Sequence, residues 1–81
     1  MRVEHSLTVT AKCPVDSKPD VYEVVIRASR LVNVEDILAA VAENTKQPVF
    51  QEALTELLHR DLACEVETRG YHSGVLTVVI C

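Results

Sequence analysis

The stretch Cys13-Pro14-Val15-Asp16-Ser17-Lys18-Pro19-Asp20 carries a thiol at one end and a carboxylate at the other. A thiolate adds readily to a polarised carbon such as that of a nitrile, and the nitrile nitrogen then needs a proton that a neighbouring acid can deliver. Cys13 and Asp20 are therefore candidates for nucleophile and for acid and base. Each also has a plainer reading. A free cysteine packs as a small hydrophobe, and an aspartate beside proline often closes a turn. The bracketing prolines favour the chemical reading.

The elements on either side must hold the two groups in place. Val3, His5, Leu7, Val9, Ala11 and Cys13 alternate with Glu4, Ser6, Thr8, Thr10 and Lys12, the period of a strand with one apolar face. Tyr22, Val24, Ile26 and Ala28 then alternate with Glu23, Val25 and Arg27, so a hairpin is expected with Cys13 at its turn. Asn33 suits a helix N-cap, with Asp36 three residues on and Val34, Ile37, Leu38 and Val41 at helical spacing. Pro48 suits the first turn of a second helix whose Phe50, Ala53, Leu54, Leu57, Leu58 and Leu62 share a face. Cys64, Val66 and Thr68 alternate next, Gly70 to Gly74 reads as a turn, and Val75 to Cys81 is a strand apolar on both faces. The order is ββααββ, and the last strand needs a cover on each side, from the helices and from a second layer or a partner subunit.

Composition narrows the classes. Eighty-one residues make one domain, 1–81, and a chain this short buries only about 60–65% of its unfolded surface, so an oligomer is expected. Net charge is −4 with scattered Lys and Arg, which is no footprint for a polynucleotide. No run approaches the roughly 20 apolar residues of a membrane span, and the N-terminus has no apolar signal core. Three cysteines, at 13, 64 and 81, form no disulfide framework and point to a reducing, cytoplasmic setting. They show no metal-ligand spacing either, so no metal is assigned. Cys64 and Cys81 read as core or interface residues. His72 offers a second pairing for Cys13, of the thiol-protease kind, but no third orienting group accompanies it. His5 reads as a strand residue and His59 as a cation near a helix C-terminus.

Three parts of the chain resemble the QueF and QueF-like family of 7-cyano-7-deazaguanine nitrile-processing enzymes: Cys13-Pro14 through Pro19-Asp20, Phe50-Gln51-Glu52, and Arg69 through Val75. Only the first is specific. The resemblance implies an α+β tunnelling fold, in which four-stranded antiparallel sheets, each with two helices on one face, join from several subunits into a barrel with active sites between subunits. It implies that Cys13 forms a thioimide, that Asp20 moves the protons, and that Glu52, with Gln51 and His72 beside it, binds the deazaguanine. Glu52 also has the plainer reading of a favourable charge at a helix N-terminus.

The departures bear on the reaction. Reductases of the family carry a Glu-Ser-Lys-Ser-x-Lys-type stretch for NADPH, where this chain reads Glu35-Asp36-Ile37-Leu38-Ala39-Ala40, and Gln51 stands where they usually place a histidine. A dinucleotide phosphate needs cations that this run does not offer. The expected reaction is therefore that of the QueF-like amidinotransferases, with ammonia as co-substrate and no redox cofactor. NADPH-dependent nitrile reduction and a non-catalytic purine- or pterin-binding or scaffold oligomer are the alternatives. Archaeal QueF-like enzymes are associated with a nucleotide of transfer RNA, whereas the charge here favours a free base or nucleoside.

Overall fold

Alternation of apolar and polar residues produces the first hairpin in the computed structural model, which describes residues 1–81. Strand β1 (Val3–Lys12) pairs antiparallel with β2 (Pro19–Ala28), Lys12 opposite Pro19 and Val3 opposite Ala28. Helix α1 (Val34–Asn44) and helix α2 (Gln51–Leu62) follow, then β3 (Glu65–His72) and β4 (Val75–Ile80). The four strands form one antiparallel sheet in chain order, because β3 adds to β2 with Ile26 opposite Val66, and β4 closes a hairpin on β3.

One face of the sheet is the core. Val9 and Ala11 on β1, Tyr22, Val24 and Ile26 on β2, and Val66 on β3 pack with Ile37 and Ala40 of α1 and with Leu54, Leu58 and Leu62 of α2. Helix α2 lies against β3 and β4, and α1 against α2. Asn33 caps α1 as its sequence suggests, its side chain accepting the Glu35 N–H at 3.0 Å. Asn44 then ties the helices together by donating to the Ala40 carbonyl and to Asp61, both at 2.8 Å. No helix is long and apolar enough to cross a membrane.

Two boundaries differ from the sequence expectation. Helix α2 begins at Gln51, with Phe50 as N-cap, and Pro48 lies in an extended lead-in. The Val49 N–H there donates to the Lys12 carbonyl at 3.0 Å, and that tertiary bond holds the segment outside the helix. Phe50 consequently faces outward, 51% exposed, and leaves the apolar stripe. At the other end, Gly70, Tyr71 and His72 continue β3, and only Ser73 and Gly74 turn. Both have positive φ, 50° and 82°, as a tight two-residue hairpin turn with the right twist requires.

The opposite face is polar over β1 to β3. Arg27 bridges Glu4, Glu65 and Glu67 at 2.9–3.2 Å, and Glu67 is also held by Arg69 at 2.9 Å. These two cations hold the Glu67 carboxyl below its ordinary value, Arg69 most strongly. Towards β4 the same face becomes apolar, with Leu76 43%, Val78 40% and Ile80 60% exposed. The second cover expected for this strand is therefore not supplied by the chain itself.

Candidate active site

All the candidate side chains gather at the end of the sheet where β1 stops and β2 starts. The loop from Cys13 to Lys18 folds on itself. The Cys13 N–H donates to the Lys18 carbonyl and the Cys13 carbonyl accepts from the Ser17 N–H, each at 2.9 Å. Ser17 adopts φ 61°, and Asp16 accepts the Lys18 N–H at 3.0 Å, a local turn of the kind aspartate forms. Cys13 is thus fixed through both of its backbone groups, with its half-buried thiol free of any disulfide. Asp20 stands opposite Ala11 at the start of β2.

Tyr22 links two of the candidates, Asp20 and His72. Asp20 and Tyr22 are two residues apart on one strand and so share a face. The Tyr22 hydroxyl donates to Asp20 Oδ2 at 3.3 Å. Burial above all, then the charge of Asp20 and the bond to it, then the charges of Cys13 and Glu52, hold the phenol protonated above its ordinary range. Asp20 bonds the Tyr22 hydroxyl, and the charges of Cys13, in the loop after β1, and of exposed Glu52, on α2, also act on it. Glu52 is exposed in the first turn of α2, where helix N–H groups favour an anion.

Gln51 and His72 form the adjoining wall. Gln51 is buried, and its amide nitrogen donates to the Thr68 carbonyl, the Thr68 hydroxyl and the Thr77 carbonyl at 3.0–3.2 Å. Carbonyls only accept, so this arrangement fixes the amide orientation and leaves Oε1 facing His72 Nε2 at 2.8 Å. Nε2 must carry the proton. Thr55 donates to the Gln51 carbonyl at 2.8 Å, so the Thr68 hydroxyl is the donor in its 2.7 Å bond to Thr55. Every polar atom of the Gln51 side chain is engaged inside the protein. Its direct task is to orient His72, whose ring also lies tilted against Tyr22 with centroids 6.0 Å apart.

Sequence reasoning missed Tyr22, Gly70, Thr55 and Thr68. By period alone Tyr22 belongs with the apolar strand residues, although its spacing from Asp20 is a usable signal. Gly70 lies in the strand and not in the turn, and a Cβ there would sit 2.5 Å from Tyr22 Cδ1, so the glycine admits the ring. An open cleft of about 530 Å³ on the outer face is bordered by Asp20 together with Val21, Arg69, Tyr71 and Leu76. Nowhere do three or more His, Cys, Asp or Glu side chains group as metal ligands would.

This ββααββ sheet with its helices on one face is the tunnelling-fold unit. Among solved structures, the chain is similar to the crystal structure of an archaeosine synthase QueF-Like in the apo form, with a TM-score of 0.82 and 20% sequence identity. The match covers 99% of this chain and 90% of that one. No protein-family model matches the chain, and no curated protein matches it in sequence. At this identity the likeness is one of fold.

Proposed function

We propose that the chain is a nitrile-processing enzyme of the QueF-like kind, acting on 7-cyano-7-deazaguanine or a nucleoside of it. The observation that carries the reading is the Cys13 to Asp20 loop, which sets the thiol just after β1 and Asp20, bonded to Tyr22, at the start of β2, on a fold shared with an archaeosine synthase QueF-Like. Cys13 sulfur bonds to the nitrile carbon, its proton passes to Asp20, and Asp20 delivers it to the nitrile nitrogen, giving a thioimide. Ammonia then adds to that carbon, the C–S bond breaks, the thiol is restored and an amidine leaves. No electrons are exchanged with a redox cofactor. The Glu52 carboxylate accepts two hydrogen bonds from the ring N–H and exocyclic amine of the base, and His72 flanks it.

Side-by-side association of subunits through the free edges of β1 and β4 would bring the end of β1, beside Cys13, against a neighbouring subunit and help cover Leu76, Val78 and Ile80. The substrate would then lie between subunits.

The test is intact-protein mass spectrometry after incubation with 7-cyano-7-deazaguanine, for the wild type and Cys13→Ala, followed by ammonia or NADPH. An adduct confined to wild type and discharged by ammonia is expected. Discharge by NADPH alone would instead identify a reductase, and a folded oligomer that binds the base without forming an adduct would identify a binding protein.

A further inference from the structure

Tyr22 has no part in the chemistry set out above, yet it is 1% exposed, bonds Asp20 and lies against the His72 ring. For packing beside Val24 and Ile26, phenylalanine would serve. A buried hydroxyl is costly unless it is bonded, and this one is bonded to Asp20. At 3.3 Å the bond is long for two oxygens. The ring is seated by the absence of a side chain at Gly70 and by the tilted contact with His72. Asp20 on β2 bonds the hydroxyl, His72 of β3 lies against the ring, and the charges of Cys13 after β1 and of Glu52 on α2 also act on the phenol.

We propose that Tyr22 is the positioning residue of the Cys13–Asp20 pair: its hydroxyl holds Oδ2 of Asp20, leaving Oδ1 as the oxygen that takes the thiol proton and hands it to the nitrile nitrogen. This rests on the nitrile chemistry for its second half only. A carboxylate free to rotate presents either oxygen in many orientations, whereas one pinned at Oδ2 presents Oδ1 in one, and orientation acts on rate more than on affinity.

Tyr22→Phe keeps the ring and removes the hydroxyl. The rate of adduct formation at saturating nitrile should fall about 10–100-fold, with the half-saturating concentration within about twofold of wild type. An unchanged rate, or a loss confined to affinity, would overturn the proposal. A second measurement needs no substrate. Urea midpoints of Tyr22→Phe, Asp20→Ala and the double variant form a cycle, in which the two losses should be non-additive. Additive losses would remove the Tyr22–Asp20 bond as a device. If wild type forms no adduct, the enzyme reading fails while the cycle still decides whether Tyr22 holds Asp20.

Discussion

His72 Nε2 donates to Gln51 Oε1 at 2.8 Å, and the direction of that bond is imposed from the far side of the amide, where the Thr68 and Thr77 carbonyls accept from the Gln51 nitrogen. The bond therefore keeps a proton on Nε2 of His72.

Removing that amide leaves two carbonyls without their donor beneath α2. Gln51→Leu should destabilise the fold by about 2–4 kcal/mol, the cost of buried unsatisfied groups. Urea unfolding measures it, and the His72 ring signals in NMR should broaden or move at the same time.

Gly70→Ala drives a methyl group into the Tyr22 ring, whose Cδ1 and Cε1 would lie 2.5 and 2.7 Å away. The ring is walled in by core residues and has little room to yield, so a loss of about 1–3 kcal/mol is expected. Thermal unfolding checks this, and the near-ultraviolet signal of Tyr22 should change with it.

Ala63 ends α2 in the left-handed region at φ 53° and ψ 41°, which favours glycine. Ala63→Gly should stabilise the chain by about 0.5–1 kcal/mol. The neighbouring Arg30 and His59 bonds to the Leu62 and Cys64 carbonyls should survive, since they come from side chains elsewhere.

Glu52 tests substrate recognition apart from chemistry. Glu52→Gln should weaken binding of 7-cyano-7-deazaguanine about 10–100-fold, the loss of charge-assisted hydrogen bonds. Calorimetry in a Cys13→Ala background reads the affinity without the adduct. Stability should change by less than about 1 kcal/mol, because only a helix-dipole contact is lost.

The charged face predicts a pH dependence. Arg69 and Arg27 lower the Glu67 carboxyl below its ordinary value, so its contribution to stability is fully present above about pH 4.5 and is lost as pH falls through the lower folded value. Glu67→Gln should lower the melting temperature at pH 7, and the difference from wild type should close on acidification. A difference that persists below pH 3 would place the contribution in packing.

The hairpins and the first helix were legible because their signals are local. Strict alternation from Val3 to Cys13 and from Tyr22 to Ala28 reflects the two-residue period of a strand, and Asn33 caps α1 within its own turn. The Cys13 to Asp20 stretch likewise marks a candidate site by its own composition. The start of α2 was not legible, because Pro48 permits a helix and only the bond from Val49 to Lys12, a partner distant in sequence, withholds it. Nor was the role of Gln51, since a glutamine at a helix start reads as a surface or ligand group until β3 and β4 surround it with Thr68 and Thr77. Tyr22 marks the same division. Its place on the inner face follows from sequence period, whereas its contacts with His72 and Gly70 exist only once β2 and β3 have paired. Local sterics and periodicity set the elements, and long-range hydrogen bonds and burial decided which of their residues meet.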